Sequence, residues 1–267
     1  MKKTILLILS VTFAFSQENI NYQVPSSEIL DLVEYDRPPT VTYDNEKNFM
    51  LFLYRDNYKS IEDLSQEELR LAGLRINPKT NIGSRITYYN NIKIKNLKNK
   101  RSEIEDIIGI PSNPKIANIN WSPNQKNIAF TNTSSDGVKL WVLNLESRSL
   151  VKLSDLKLNS NIRDVINWLN DSEILIKVIP ENKKELIDQS DIVPLGPTIS
   201  SNDGENAQNR TYQDLLKNKT DEFNFEQLVT SDLYKVDLNG KINKWLDSDM
   251  YTDITPSPDG EFVMVSN

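Results

Sequence analysis

Apolar and polar residues alternate along most of this chain in short runs, separated by turn residues at intervals of about ten positions, the pattern of a protein built from short strands. The clearest example runs from Asn120 to Leu145. Trp121-Ser122-Pro123-Asn124-Gln125 is turn chemistry, because proline fixes φ while Ser and Asn bond back to nearby backbone. Asn127 to Thr131 alternates around Ile128 and Phe130 and predicts a short strand. Thr133 to Gly137 is the next turn, and Val138 to Leu143 a second strand rich in β-branched and aromatic residues. Asn144 to Ser149 turns again before a third strand at Leu150 to Leu153. One such unit fits a sandwich, a barrel or a propeller blade, and repetition decides among them.

The unit recurs. Ile166-Asn167-Trp168-Leu169-Asn170-Asp171-Ser172 repeats the turn, and Glu173 to Val178 the strand after it. Trp121 and Trp168 stand 47 residues apart, close to the roughly 40–45-residue period of propeller blades. A third copy lies at Thr255-Pro256-Ser257-Pro258-Asp259-Gly260, followed by Glu261 to Val265. It comes 88 residues after Trp168, about one period too many. The excess is the stretch of about 180–230, which lacks a strand pattern and carries Pro180, Pro194, Gly196-Pro197 and a polar run from Ser200 to Asn209. Thr211 to Leu228 predicts a helix through Tyr212, Leu215, Leu216, Phe223, Phe225 and Leu228. Leu233 to Leu238 then matches Leu140 to Leu145, so the stretch is expected to be an insertion between two strands of one blade.

Upstream, Val41 to Arg55 predicts strand, turn and strand, with the turn at Asp44 to Asn48. A short capped helix or an irregular edge segment is expected from Ser26. Ser60 to Leu74 predicts a helix, with Ser65-Gln66-Glu67-Glu68 as a capping box and Leu64, Leu71 and Leu74 as a partial apolar face. Ile86 to Leu97 predicts a strand pair, and the five positive charges between Lys93 and Arg101 a solvated hairpin edge. The expected fold class is all-β: an incomplete β-propeller over residues 17–267, with a partly helical insertion and one additional short helix.

Residues 1–16 carry the pattern of a secretory signal peptide. Lys2 and Lys3 precede an apolar run from Ile5 to Phe15, and Ala14 and Ser16 place small residues before Gln17. The run is shorter than the roughly 20 residues that a spanning helix needs, so no membrane span is expected. Cleavage would remove both lysines and take the net charge from −7 to −9. An acidic chain with a pI near 4.9 argues against nucleic acid as a partner. Cysteine is absent, which excludes disulfides, thiol nucleophiles and cysteine-based zinc sites. Histidine is absent as well, which excludes an imidazole general base and the common histidine metal sites. Asp171, Asp237 and Asp259 are expected in turns, and Trp121, Trp141 and Trp168 in blade packing. The sequence therefore predicts no catalytic, cofactor or metal residue, and marks none for substrate.

The repeat form W-S-P-(D/N), then I-A-F, then L-W-V-x-(D/N)-L resembles the propeller repeats of the TolB group and of the prolyl oligopeptidase family of serine peptidases. Three stretches narrow the resemblance: Glu67 to Ile76; Gly196-Pro197 with Thr211 to Asn218; and Ser257-Pro258-Asp259-Gly260 after Met250-Tyr251. Together they resemble the N-terminal half of the glutamyl-endopeptidase-like branch found in secreted bacterial members. That resemblance implies a propeller preceding an α/β-hydrolase domain and restricting access to it, so that oligopeptides rather than folded proteins are cut. It also implies a Ser-Asp-His triad whose serine sits on a G-x-S-x-G elbow. No G-x-S-x-G occurs here, so no catalytic position carries over. The expectation is a non-catalytic propeller part, secreted or periplasmic, cut short inside a blade. Its expected partners are a peptide substrate in the full-length protein and a separate hydrolase domain or polypeptide. The alternative is a free-standing periplasmic propeller that binds proteins. The signal reading sets one outcome: a chain exported by a bacterial host begins at Gln17 by N-terminal sequencing, and recovery of exported chain that retains Met1 would overturn it.

Overall fold

The computed structural model describes residues 23–188, 196, 201, 203, 204 and 212–267. The chain divides into two compact units, Met1–Asp36 and Arg37–Asn267. In the first, helix α1 (Ser27–Val33) follows Ser26 and buries none of its side chains.

The second unit is a row of antiparallel blades. The first contains β1 (Thr40–Tyr43), β2 (Phe49–Tyr54), β6 (Asn91–Asn96) and β7 (Glu105–Asp106), in that order across the sheet. The second contains β8 (Ile116–Trp121), β9 (Asn127–Ser134), β10 (Gly137–Asn144) and β11 (Leu150–Lys152). The third contains β12 (Ile166–Trp168), β13 (Glu173–Val178), β14 (Ser231–Asp237) and β15 (Ile242–Asp249). A further pair, β16 (Asp253–Pro256) and β17 (Val263–Ser266), forms the first two strands of a fourth. The first strands β8, β12 and β16 neighbour one another, and the sheets do not close into a ring. This is an incomplete β-propeller.

Strand alternation explains how the blades stack. In β9, Ile128 and Phe130 face the first blade, where they join Leu51, Leu53, Ile92 and Ile94. Ala129 between them faces the third blade, with Val138, Leu140, Ile174 and Ile176. In β13, Leu175 turns the other way and meets Leu233, Tyr251 and Ile254 towards the fourth blade. A strand buried on both faces reads as a nearly continuous apolar run, which is why Ile128 to Phe130 and Ile174 to Ile176 alternate so weakly. Trp168 lies in the core between second and third blades, its Nε1 donating to Asn120 O at 3.2 Å. Trp121 and Trp141 pack against the core between first and second.

The turns after the first strands share one geometry. Asp44, Ser122 and Ser257 each accept, through a side-chain oxygen, the N–H five residues on: Phe49, Asn127 and Phe262, at 2.6, 3.0 and 3.0 Å. Three residues into each turn the backbone is left-handed, at Lys47, Gln125 and Gly260, with φ of 57°, 60° and 74°. Glycine holds this conformation without a Cβ clash. At Gly260 a Cβ would also stand 3.1 Å from Leu169 O of the neighbouring turn.

Several expectations change. The helix expected over Ser60 to Leu74 is only α2 (Ile61–Leu64), with Ser60 rather than Ser65 as its N-cap. The rest is a small sheet of β3 (Leu69–Leu71), β4 (Leu74–Asn77) and β5 (Ile82–Gly83). Leu69, Leu71, Leu74 and Ile76 fit a strand period as well as a helical one. Ala72 and Gly73, at φ 49° and 78°, decide for the hairpin by making a two-residue turn between Leu71 and Leu74. Of the strand pair expected over Ile86 to Leu97, only β6 is a strand, while Tyr89 bridges to Ile116. Lys93 and Lys95 lie on that inner strand between β2 and β7, not on an edge; Lys93 pairs with Asp106. The helix expected over Thr211 to Leu228 starts later, as α3 (Lys219–Val229), because Asn218 Oδ1 caps it by accepting from Asp221 N at 2.8 Å. Strand β8 escaped notice because Asn118, at φ 50°, breaks its alternation with a register shift.

Lys177 ties the third blade to the fourth. Its side chain is 1% exposed, and its Nζ donates to Arg163 O and Tyr251 O, both at 2.6 Å. Burial pushes its pKa down to about 8, with Asp164 and Asp253 only partly opposing. An unfolded lysine titrates near ~10.4, so the penalty for holding it charged is full below pH 8 and is relieved as pH rises from about 8 to ~10.4. Relative to Lys177→Met, the native protein should therefore gain up to about 3 kcal/mol of stability across that window. Urea unfolding at stepped pH measures this, and parallel profiles for the two proteins would contradict it.

Candidate functional site

Two long connections leave the blades between their second and third strands. One, residues 55–90, links β2 to β6 and carries α2 and β3 to β5. The other, residues 179–230, links β13 to β14 and carries α3. Strands β13 and β14 still pair without slippage from Glu173↔Asp237 to Val178↔Asp232, so this long excursion does not disturb the blade. The two meet. Leu71 and Ile76 of the hairpin pack on Leu228 of α3, with Leu74, Leu216 and Phe225 around them. Gly73 N donates to Asp214 O at 3.1 Å.

Buried amides anchor this layer to the blades. Asn159 Nδ2 donates to Leu228 O and Thr230 O at 2.9 and 3.0 Å, and Asn161 Nδ2 to Leu228 O at 2.8 Å. These bonds satisfy carbonyls that a helix end leaves without intrahelical partners. Lys183 Nζ reaches Asn81 Oδ1 at 2.7 Å, and burial lowers its pKa.

Glu68 organises the charge of the hairpin. Its carboxylate accepts from Arg70 Nε at 2.9 Å, Arg75 Nη1 at 3.2 Å, Arg85 Nε at 2.8 Å and Ser84 Oγ at 2.6 Å. Arg75 also pairs with Asp214 of the second insertion at 3.2 Å. The Arg85 bond first, then Ser84 and Arg70, hold the Glu68 carboxyl well below the usual range, against the opposing effect of burial.

Beside this cluster lies a cleft of about 190 Å³, lined by Arg37, Arg55, Tyr58, Lys59, Asp63 and Tyr88 among others. Asp63, Gln66 and Tyr88 also line a second cavity of about 570 Å³ that reaches Lys115 and Asn132. Asp63 pairs with Lys115 at 2.6 Å and accepts from Ser60 Oγ at 2.8 Å. Burial works against its ionisation, but the Lys115 and Ser60 bonds outweigh it and its pKa falls. A carboxylate so stabilised is a weak base, so Ser60 is not activated as a nucleophile. Burial raises the Tyr88 pKa. Among the described residues no group of acidic side chains is arranged to hold a metal ion, and no helix is long and apolar enough to cross a membrane.

The cleft was not foreseen from the sequence. Residues 55–90 read as consecutive elements rather than an insertion, so nothing placed Arg55, Lys59, Asp63 and Tyr88 together. The available signal was slight: from Arg55 to Arg85 six Arg and Lys stand against five Asp and Glu, in a chain whose acids outnumber its bases. Of the stretches that carried the family resemblance, Glu67 to Ile76 and Asp214 to Asn218 lie at the contact between the two insertions, whereas Pro197 and Thr211 fall outside the described residues.

The Glu68 geometry makes a stability prediction. Since its folded-state pKa is depressed, its contribution is complete above the unfolded value of ~4.3 and is lost as pH falls through the folded one. Glu68→Gln should cost about 1 kcal/mol near neutral pH, since these bonds are partly solvent-screened. The gap should shrink in thermal melts as pH drops below ~4; a gap independent of pH would refute it.

No protein-family model matches the chain. A probable chloroplastic glutamyl endopeptidase of Oryza sativa subsp. japonica is 32% identical over 264 residues, covering 94% of this chain and 28% of that protein. A probable chloroplastic glutamyl endopeptidase of Arabidopsis thaliana is 31% identical over 257 residues, covering 92% and 27%. The chain thus spans a little over a quarter of the length of the curated relatives it matches. Among solved structures, uncomplexed Pyrococcus horikoshii acylaminoacyl peptidase superposes with a TM-score of 0.39 at 16% identity, covering 87% of this chain and 28% of that one. That superposition is too loose to carry weight, and the fold rests on the strand pairing itself. Along nearly all of its length the chain is thus similar to a part of these glutamyl endopeptidases, and its strand pairing makes that part an incomplete propeller.

Proposed function

We propose that this chain is the non-catalytic propeller part of a secreted serine peptidase that hydrolyses peptide bonds in oligopeptides. The observation that carries the reading is the 32% identity to a probable glutamyl endopeptidase along 94% of the chain. The chemistry of the chain supports the non-catalytic half of it. There is no histidine to act as general base, no cysteine, and no G-x-S-x-G to expose a serine. The described residues offer scaffold instead: stacked blades with two insertions joined over them. In this reading the propeller restricts which peptides reach a hydrolase domain outside the chain. Export rests on residues 1–16 alone. The plant relatives are called chloroplastic, but a two-lysine start followed by an apolar run lacks the arginine-rich amphipathic character of a transit peptide.

The purified chain should neither cleave fluorogenic peptides with acidic residues nor take up a serine-directed fluorophosphonate probe. Cleavage blocked by that probe would overturn the non-catalytic assignment. Reading of the DNA beyond the Asn267 codon should reveal a frame that continues to a G-x-S-x-G motif. A stop codon there at intact related loci would overturn the peptidase reading and leave a free-standing binding propeller.

A further inference from the structure

The hairpin between β14 and β15 closes at Asp237-Leu238-Asn239-Gly240-Lys241, the one place in the sequence where glycine follows asparagine. The turn is fixed by groups other than the Asn239 side chain. Asp237 Oδ1 accepts from Asn239 N at 2.8 Å and from Lys241 N at 2.9 Å. Gly240 N donates to Asp237 O, and Leu238 N to Ser172 O, both at 3.0 Å. Asn239 is exposed, and its carboxamide makes no hydrogen bond among the described residues. Gly240 has φ 83°, and a single heavy atom, Leu153 O at 3.7 Å, stands within 4 Å of where its Cβ would be. The flank of the Gly240 nitrogen is therefore open, with no Cβ to block an approach.

An unheld amide carbon and an unhindered backbone nitrogen thus stand side by side. The contrast is Asn159, which also precedes a small residue. It is 2% exposed, its Nδ2 is held by Leu228 O and Thr230 O at 2.9 and 3.0 Å, and Ser160 N donates to Asn81 O at 2.8 Å. Gly240 N is bonded too, but at an exposed hairpin end, the kind of segment that opens locally at little cost.

We propose that Asn239 is a self-modification site, at which the turn converts asparagine to isoaspartate and aspartate without an enzyme. Gly240 N gives its proton to solvent base and attacks Asn239 Cγ. The N–Cγ bond forms, the Cγ–Nδ2 bond breaks, and Nδ2 takes up a proton and leaves as ammonia. Water then opens the succinimide ring. Cleavage of the N–Cγ bond yields aspartate. Cleavage of the bond from Gly240 N to the Asn239 main-chain carbonyl yields isoaspartate, whose main chain runs through Cβ and Cγ. One water is consumed, one ammonia is released, and nothing is oxidised or reduced. Either product sets a second carboxylate beside Asp237, and isoaspartate also lengthens a turn whose span the Asp237 bonds define. The step rests on this turn alone, so failure of the peptidase reading leaves it standing.

The test holds the folded 267-residue chain in mildly alkaline and mildly acidic buffer, then digests it and maps the peptides by mass spectrometry. The peptide that contains Asn239 should gain the mass difference between OH and NH2. The gain should be faster in alkaline buffer, because the deprotonated nitrogen is the nucleophile. Electron-transfer fragmentation should show more isoaspartate than aspartate. Asparagines followed by other residues should convert at least ~10-fold more slowly, hindered by a Cβ or lacking an N–H where proline follows. Asn239→Gln, which would have to close a larger ring, should keep its mass, and far-UV spectra check that both chains stay folded. An unchanged Asn239 in the folded chain, even where the urea-unfolded chain converts, would overturn the proposal. So would aspartate without isoaspartate, equal rates at other asparagines, or the same gain of mass in the Asn239→Gln chain.

Discussion

The structure depends on the burial of both faces of its middle blades. Ile128 and Phe130 supply one core and Ala129 the other, and Ile174 and Ile176 face oppositely to Leu175. A twisted four-stranded sheet with two apolar faces has no stable form alone, since either face in water forfeits about 25 cal/mol for every Å² exposed. Each blade therefore needs a neighbour on each side, as in other repeat architectures whose units contact only those adjacent. The small Ala129 opposite the large Phe130 lets adjacent sheets approach on one side while the other side is filled by an aromatic ring.

The turns and clamps serve that stacking. Asp44, Ser122 and Ser257 cap the same backbone N–H in the first, second and fourth blades, fixing where the second strand begins. Leu169 stands at that position in the third blade, where the turn is one residue shorter and keeps only the backbone bond that the others also make, Leu169 N to Glu173 O at 2.9 Å. Lys177 spends a buried charge on two carbonyls of flanking connections. Because the blades are held this way, two long insertions are tolerated between paired strands, and they pack on one another as well as on the blades.

Charge is distributed unevenly over this scaffold. The chain carries a net −7, yet Arg55, Lys59, Arg70, Arg75 and Arg85 gather on one insertion around Glu68 and the cleft beside it. Glu68 and Asp214 absorb part of that charge and hold the two insertions together.

Much of this was legible in the residues, because strand period, turn chemistry and repeat spacing are local properties. The blades after Trp121 and Trp168, the turn at Ser257, and the strand-turn-strand at Val41 all follow from them. The absence of histidine limits chemistry wherever the chain folds. Local properties failed where two readings were equally compatible with the same letters. Leu69 to Ile76 suits helix and strand alike, and only a left-handed Ala72-Gly73 turn, with Leu71 and Ile76 packed on α3, resolves it. Lys93 and Lys95 look like edge residues until β7 pairs outside them. By itself the sequence determined the repeat and what the chain lacks, since both are carried by residue type and spacing. Tertiary structure alone decided that residues 55–90 meet residues 179–230, because contact between segments more than a hundred positions apart in mid-sequence leaves no periodic trace in either.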